Sequence, residues 1–477
     1  MGAVDYFQLS VCSHILEQRS YTVRHLAWRS VSMTVFRGSR IRGSRAGAAI
    51  MAGSISLAAP EPCIGQSGQL RERVTSTSDS SQAYALYLPP NYSTDRRWPI
   101  LFVLDPRGRA PLALQLFQPA AARHGWIVMS SYNSRSDGPP EPTLNALEAM
   151  LRAAQDELSI NTSRLYLAGF SGTARAALRF AVNLRGHVAG VIAAGGALGF
   201  ELGGPETTFA RDSAFGYFGA AGVGDFNFEE VLVMGEQFGA LGVPFRVAVF
   251  DGGHTWPPAD VCGDAIDWLE LRAMRGGLRA TDSAWVAARL DAELDRAARL
   301  EREGQWHRAL QAYEAIARDY PPGPRLRPAL ARAGELRNQA AVQRHQAKAR
   351  RLAKDDLEQA RELQETLAWS RSQRDMPSPE AFARKLRIAD LQQLAARGDS
   401  LESASASRLL ARIFVWLSFY EPRDYLRNRS PMRALSAFET ALKIGTIQGQ
   451  ESCAMLRAAL SAASREHRTQ LSGQCGL

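Results

Sequence analysis

Ser171 lies in the stretch LYLAGFSGTAR, residues 165–175, where an apolar run leads directly into Gly-Phe-Ser-Gly and then into residues typical of a helix. A strand that turns sharply into a helix at G-x-S lifts the serine hydroxyl clear of a sheet, and the glycines keep neighbouring atoms from clashing. Gly169 and Gly172 fit this pattern, whereas Thr173 stands where a final glycine is usual. Because a lone G-x-S-G also arises by chance, the motif makes Ser171 a candidate nucleophile that needs further support.

That support has to come from a base and an acid, because a serine hydroxyl is a weak nucleophile near neutral pH. Of the eight histidines in the chain, only His254 follows a predicted final strand, in VAVFDGGHTWPP. Asp225 follows an earlier predicted strand and a glycine-rich turn in GYFGAAGVGDFNFEE. The order Ser, Asp, His is the one that an alpha/beta-hydrolase triad requires. We therefore predict Ser171 as nucleophile, Asp225 as acid and His254 as base.

Two alternatives to this acid stay open at the level of sequence. Asp225 could instead form an Asx turn or cap the helix predicted to start near Phe228. Asp251 lies close to His254 along the chain and is the reserve candidate for the acid.

Acyl transfer also needs two N–H donors aimed at the developing oxyanion. The first predicted donor is the backbone N–H of Gly172, directly after the nucleophile. The second is assigned to Arg107, in the loop that ends the segment PILFVLDPRG, because Pro106 has no N–H. Gly108, the last residue of that segment, is the next choice. A simple tight turn is an equally good interpretation of residues 106–108.

Three aromatic residues lie beside the predicted catalytic loops and could form an apolar wall for a substrate: Tyr132, Phe170 and Trp256. Aromatic residues in such positions more often serve as core packing. The connection between Ala193 and Phe215 is short, which predicts an open cleft without a long lid and favours a small ester as substrate.

The elements that must position these residues alternate between strand-like and helix-like segments. Apolar runs of strand length are Ala83–Leu88, Pro99–Leu104, Trp126–Met129, Leu165–Ala168, Val188–Ala193, Phe215–Phe218 and Phe245–Phe250, and helices are predicted at Leu144–Leu158 and Ala174–Leu184. This alternation predicts an α/β fold, with a mostly parallel sheet covered by helices on both faces.

Residues from about Tyr84 to Leu271 resemble the alpha/beta-hydrolase superfamily and are similar to its compact feruloyl-esterase and polyhydroxybutyrate-depolymerase-like esterases. The segments that carry the resemblance are LYLPPNY, YLAGFSG, GDFNFEE and FDGGHTWPP. The resemblance implies Ser171 as nucleophile, Asp225 as acid and His254 as base, with no cofactor or metal. Thr173 is the departure from the family pattern.

From Asp282 onward the predicted elements are all helical. The segment 297–321 places Ala297, Trp306, Ala309 and Tyr313 at a spacing that resembles a tetratricopeptide helix pair, with Gly304 at the junction. A second, weaker copy contains Ala434, Phe438 and Ala441, and a generic helical bundle is the alternative. We expect this region to bind a protein partner or to dock on the hydrolase part, not to supply catalytic groups. A chain that ends near Ala280 should then keep its activity.

Length, charge and cysteine content bound the remaining possibilities. The chain has 477 residues, 45% of them hydrophobic, and a formal charge of +9. The arginines are spread along helices and the N-terminal segment, without interleaved aromatics, which argues against nucleic acid as a partner. The five cysteines show no CxxC or Cys/His spacing, so neither a disulfide framework nor a zinc site is expected. The predicted domains are 1–63, 64–280 and 281–477.

The N-terminal 63 residues resemble a targeting segment. A basic stretch, residues 37–45, precedes an apolar run, Ala46–Ala59, and then a proline. This order predicts a secretory signal, cleavage near Ala58 or Ala59, and a secreted or periplasmic protein. A tail on a cytoplasmic protein is the alternative, and no run reaches the length of a membrane-spanning helix.

The sequence therefore favours a serine esterase that acts on small acyl or aryl esters. A serine peptidase would use the same scaffold. The contrasting class is a non-catalytic binding protein in which a degenerate hydrolase domain and the helical region both hold a partner, and Thr173 is the residue that favours it.

Overall fold

The computed structural model describes residues 68, 70–184, 186–198, 215–373, 377–398, 400–461, 471 and 473–475. The predicted signal segment, its cleavage site and the start of the domain predicted at residue 64 lie outside these residues. So does most of the connection between Ala193 and Phe215 from which an open cleft was predicted.

Eight strands form one sheet in the order β1-β2-β4-β3-β5-β6-β7-β8. The pairs β4–β3, β3–β5, β5–β6 and β6–β7 are parallel, while β1–β2 and β2–β4 are antiparallel. The strands are β1 Leu70–Thr75, β2 Ala83–Tyr87, β3 Trp98–Leu104, β4 Ile127–Ser131, β5 Ile160–Phe170, β6 Gly190–Ala194, β7 Gly216–Gly222 and β8 Phe245–Phe250. The seven predicted apolar runs all fall on strands, and the mostly parallel sheet is confirmed.

Strand β1 was not predicted from the sequence. Its residues, LRERVT, are largely charged and at least partly exposed. An edge strand needs no continuous apolar run, because only one neighbour pairs with it and solvent reaches its side chains. An edge strand can therefore lack an apolar run, as β1 does, although the other edge strand, β8, has one.

Helices cover both faces of the sheet. They are α1 Ala110–His124, α2 Glu141–Glu157, α3 Gly172–Asn183, α4 Phe228–Ala240 and α5 Ala259–Arg275. Successive residues of β3 enter different cores: Ile100 and Phe102 pack with α2 and α3, whereas Leu101 and Val103 pack with α1 and α5. A strand buried on both faces explains the unbroken apolar run of β3. The sheet with its two helix layers has the alpha/beta-hydrolase fold, as the sequence predicted.

The region after Asp282 is helical throughout its described part. Its α-helices are α6 Ser283–Arg302, α7 Trp306–Asp319, α8 Arg327–Asn338, α9 Ala340–Ser372, α10 Pro379–Lys385, α11 Ile388–Ala395, α12 Leu401–Val415, α13 Glu421–Arg427, α14 Pro431–Ala441 and α15 Gln450–Ser461, with a π-helical segment at Trp416–Tyr420. Its largest apolar core gathers side chains of α9, α10, α12, α14 and α15.

The predicted helix pair is confirmed as α6 and α7. Gly304 lies between them with φ +75°, a left-handed conformation that glycine adopts without strain. Ala297, Ala309 and Tyr313 are buried as the pattern requires, but Trp306 is 42% exposed. The tetratricopeptide assignment itself stays a prediction.

Clustering of contacts divides the chain into two compact units. The first comprises the described residues up to Ala221, Glu230–Phe250 and Thr255–Val286. The second comprises Gly222–Glu229, Asp251–His254 and the described residues from Ala287 onward. The short segments that follow β7 and β8 thus group with the helical region, a division that no feature of the sequence indicated.

A disulfide joins Cys453 in α15 to Cys475, 22 residues further along the chain. The sequence predicted no disulfide framework, and this single bond is a correction to that expectation. No sequence signal indicated the bond, because its spacing matches no motif and it depends on how the chain returns to the helical core. Among the described residues, no helix combines the length and the apolar character needed to cross a bilayer.

Candidate active site

Ser171 occupies a sharp turn between β5 and α3. Its backbone lies at φ 55° and ψ −126°, a strained conformation for a residue with a side chain. The turn is held because its N–H donates to the Ala194 carbonyl at 2.8 Å. Gly169 permits the turn, since a Cβ there would lie 2.3 Å from the Thr173 carbonyl oxygen. This is the strand-to-helix geometry that the sequence motif predicts for a nucleophile.

Thr173 fits the turn in spite of its size. It is fully buried, and its Oγ1 accepts the Phe170 N–H at 3.2 Å. The hydroxyl proton is donated to the Leu104 carbonyl, 2.5 Å away at the end of β3, with the Phe170 carbonyl at 2.8 Å as a second acceptor. The departure from the family pattern therefore adds a hydrogen bond between the turn and the neighbouring strand.

Gly172 opens α3 directly after Ser171, and the first N–H groups of a helix have no partner inside that helix. A Cβ at Gly172 would lie 2.5 Å from the Ser136 Cβ. Ser136, in the loop after β4, therefore borders the turn, and its hydroxyl donates to Asp137 Oδ2 at 2.7 Å. Sequence reasoning missed Ser136; its position beyond the carboxyl end of a parallel strand is the signal that could have found it.

Asp225 and His254 are in contact, although 29 residues separate them along the chain. His254 Nδ1 donates to Asp225 Oδ1 at 2.8 Å, and the Asp225 side chain is fully buried. The Asn227 N–H also donates to Asp225 Oδ1 at 2.8 Å. This second bond is the Asx turn that the sequence left as an alternative, so the turn fixes the same carboxylate that holds the histidine.

His254 is oriented by more than its carboxylate. Its ring lies 4.1 Å from the ring of Phe226, measured between centroids, and its side chain is 20% exposed. Asp251, the reserve acid, is exposed to solvent. An imidazole fixed through Nδ1 by a buried carboxylate has Nε2 left to accept a proton, which is the arrangement of a general base.

The loops that carry Asp225 and His254 approach each other closely through glycines. The Gly224 N–H donates to the Gly252 carbonyl at 2.8 Å. A Cβ at Gly222 would lie 2.4 Å from that carbonyl oxygen, so only glycine allows the approach.

The loop after β3 is organised by Asp105, which is fully buried. Asp105 Oδ1 accepts the N–H of Arg107 at 2.9 Å, and the Asp105 carbonyl accepts the N–H of Gly108 at 3.1 Å. Burial opposes ionisation of Asp105, but hydrogen bonds from the Arg109 guanidinium, the Trp256 indole and backbone N–H groups outweigh it and lower its pKa. The N–H of Arg107, the predicted second oxyanion donor, and that of its alternative Gly108 are thus engaged within their own turn.

The three aromatic residues that were predicted to form an apolar wall for a substrate make contacts within the protein. Phe170 and Trp256 are nearly buried and pack on each other with centroids 5.7 Å apart, and the Trp256 indole donates to Asp105 Oδ2 at 2.8 Å. The Tyr132 hydroxyl donates to the Glu72 carbonyl of the edge strand β1 at 2.7 Å. The structure therefore brings Phe170 and Trp256 together, and a role of the three residues as a substrate wall stays a prediction.

Within the described ranges, no three His, Cys, Asp or Glu side chains are grouped as metal ligands would be. The described residues offer a strained serine in the first compact unit and a hydrogen-bonded His-Asp pair in the second.

A scan against protein-family models and a search of curated proteins give no match. Solved structures that are similar include a ferulic acid esterase, at 14% identity and a TM-score of 0.35 over 43% of this chain and 98% of that one. A fluorophosphonate-binding serine hydrolase of Staphylococcus aureus is similar at 14% and 0.34, over 41% and 96% of the two chains. An S-formylglutathione hydrolase of Agrobacterium tumefaciens is similar at 14% and 0.34, over 42% and 93%. Sequence identities and TM-scores this low carry no argument about the reaction, so the chemistry has to be inferred from the side chains of this protein itself.

Proposed function

We propose that the protein is a serine hydrolase that cleaves small carboxylic esters with a triad of Ser171, His254 and Asp225. The observation that carries the proposal is the hydrogen bond between His254 and the fully buried Asp225 at 2.8 Å. Burying an unpaired charge is costly, and this arrangement is the one by which a carboxylate orients a histidine as a base.

Chain connectivity supports the nucleophile. Strand β7 is parallel to β5 through β6, and parallel strands end at the same edge of a sheet. Ser171 follows the end of β5, and Asp225 follows the end of β7, where ligands of open α/β sheets bind.

In the proposed reaction, His254 Nε2 takes the Ser171 proton as Oγ attacks the ester carbonyl carbon. The carbonyl oxygen becomes an oxyanion that accepts the Gly172 N–H. His254 then gives its proton to the departing alcohol oxygen and leaves an acyl-serine. His254 then takes a proton from water, whose oxygen attacks the acyl carbon, and returns it to Ser171 Oγ as the bond between Oγ and the acyl carbon breaks and the acid leaves. A second oxyanion donor, Arg107 or Gly108, would have to share or release its bond to Asp105.

The test is hydrolysis of p-nitrophenyl acetate and butyrate by the purified protein, by Ser171→Ala and by Ser163→Ala. Ser163 is an exposed serine on the same strand and serves as the matched control. We expect Ser171→Ala to lose nearly all turnover and Ser163→Ala to retain it. Undiminished hydrolysis by Ser171→Ala would exclude the triad, and a wild-type protein without turnover would favour the non-catalytic binding protein.

We also propose that the protein is exported, as secreted or periplasmic. The Cys453–Cys475 disulfide supports this, since such bonds persist in oxidising compartments, and the basic-then-apolar leader agrees with it. A protein partner for the helical region stays a prediction. N-terminal sequencing of native protein should begin near Pro60, and an intact Met1 would contradict export by cleavage.

A further inference from the structure

The segment that carries Asp225 is held by two arginines of helix α12. Arg412 donates to the carbonyl of Phe226, and Arg408 donates to the carbonyl of Val223 at 3.4 Å. Both carbonyls lie within two residues of Asp225, one on each side. All of these residues belong to the same compact unit.

Arg408 is itself fixed by buried acidic partners. Its Nη2 lies 2.9 Å from Glu229 Oε1 and 2.8 Å from Asp356 Oδ2, and no more than 12% of any of the three side chains is exposed. Its guanidinium also lies 4.7 Å from the ring centroid of Phe228. A buried ion pair is costly to separate, because displacement of one partner leaves the other charge without compensation. The end of the Asp225 loop at Glu229 is thereby tied to helices α9 and α12.

The Asp225 carboxylate needs such support. It is fully buried, its Oδ1 accepts both of its hydrogen bonds, and its Oδ2 has no hydrogen-bond partner among the described residues. Only Oδ1 is held, by His254 and by the backbone N–H of Asn227 in the same loop. The direction of the carboxylate therefore depends on the position of the loop backbone, and Arg408 and Arg412 hold that backbone.

We infer that Arg408 and Arg412 are positioning residues for the proposed reaction, acting through Asp225 to hold His254 in place. This inference rests on the proposed triad and gives the helical region a role in catalysis. It reverses the sequence-based expectation that a chain ending near Ala280 would keep full activity. Neither arginine is expected to touch the substrate.

The experiment is a double-mutant cycle in the full chain, combining Arg412→Ala with Asp225→Asn. If Arg412 acts through Asp225, Arg412→Ala alone should lower kcat about tenfold or more, with little change in KM. A loss of this size lies within the interaction energies measured between residues of one hydrogen-bond network. In the Asp225→Asn background it should have almost no further effect. Arg412→Lys, which keeps a cation able to reach the carbonyl, should restore most of kcat.

Arg433→Ala is the matched control. Arg433 also donates to backbone carbonyls of the helical region, those of Ser370 and Gln373, which lie far along the chain from Asp225. It should leave kcat near the wild-type value even where it lowers the melting temperature. Equal losses of kcat in Arg412→Ala and Arg433→Ala, or a loss in Arg412→Ala that persists undiminished in Asp225→Asn, would overturn the inference.

A spectroscopic measurement keeps this test separate from the proposed function. The Nδ1 proton of His254, hydrogen-bonded to Asp225, should give a low-field proton NMR resonance that is absent in Asp225→Asn. We expect Arg412→Ala or Arg408→Lys to broaden or abolish it, and Arg433→Ala to retain it. An unchanged resonance in both the Arg412 and Arg408 variants would refute the positioning role, whatever the ester assays show. Activity that survives Ser171→Ala would refute only the triad.

Discussion

At the scale of single residues, Thr173 decides whether the turn at Ser171 is a damaged motif or a working one. Its hydroxyl supplies an acceptor to the Phe170 N–H and a donor to the Leu104 carbonyl, both buried. A glycine would supply neither. The residue that argued for a degenerate hydrolase is thus a stabilising contact of the turn.

Thr173→Val should lower the free energy of unfolding by about 1–3 kcal/mol, because it keeps the shape and leaves buried polar groups unpaired. Thr173→Ser, which keeps the hydroxyl and loses a methyl group, should cost about 1 kcal/mol. Urea unfolding of both variants measures the difference. A valine variant as stable as wild type, beside a less stable serine variant, would show that the methyl group matters and the hydroxyl does not.

Asp225 forms the Asx turn that the sequence left as an alternative, and the proposed mechanism also uses it as the acid. Asp225→Asn should preserve the Asx turn to Asn227, and with it the melting temperature. It should lower kcat by roughly 10⁴-fold, because the amide favours the wrong imidazole tautomer. Parallel measurements of ester hydrolysis and thermal melting separate the two roles. Wild-type turnover in this variant would exclude Asp225 as the acid of the proposed triad.

At the scale of elements, how much the sequence predicts depends on whether the signal is local. The interior strands and the helix pair around Gly304 follow from runs and periodicity of neighbouring residues. Ser171, Asp225 and His254 could be found because each follows a predicted strand. The engagement of the Arg107 N–H could not, since it depends on where the Asp105 side chain turns. Nor could the contacts of Arg408, which join residues more than 50 positions apart.

Helices α7 and α9 carry a stacked histidine pair, His307 and His345, with ring centroids 3.7 Å apart. Burial, the neighbouring His345 and Arg308 lower the pKa of His307 to about 4. In the unfolded chain the ordinary value is near 6.5, so below that pH the unfolded state binds a proton that the folded state does not. Stability should therefore be fully present above about pH 6.5 and fall as the pH drops towards 4.

His307→Gln should flatten this dependence, and urea unfolding between these pH values, followed by far-UV circular dichroism, measures it. His187→Gln removes an exposed imidazole elsewhere in the chain and is the control. A slope that is identical in wild type and His307→Gln would assign the pH dependence to other groups.

At the scale of the whole molecule, the disulfide gives the helical region stability that depends on its surroundings. Closing a loop of 22 residues restricts the unfolded chain, and a bridge of this size contributes about 3 kcal/mol. Cys453→Ser should lose about that much stability to urea, and dithiothreitol should lower wild type to the same level while leaving the variant unchanged. If full reduction leaves the stability of the wild-type protein unchanged, the disulfide does not contribute to it.

The loops after β7 and β8 carry Asp225 and His254, the proposed acid and base, and they group with the helical region. This division gives a physical reason for the length of the chain: the second half holds the segment on which the proposed acid depends. The arginine-rich helices include a buried structural ion, Arg408.

The central claim, that Ser171 is an activated nucleophile, is tested most directly by locating a covalent label. Trypsin cuts after Arg164 and Arg175 and releases LYLAGFSGTAR, whose only serine is Ser171. After incubation with a fluorophosphonate, tandem mass spectrometry should find the phosphonyl group on that serine, and Asp225→Asn and His254→Ala should acquire it far more slowly. An unmodified LYLAGFSGTAR peptide from folded wild-type protein, or a label on another serine, would contradict the claim.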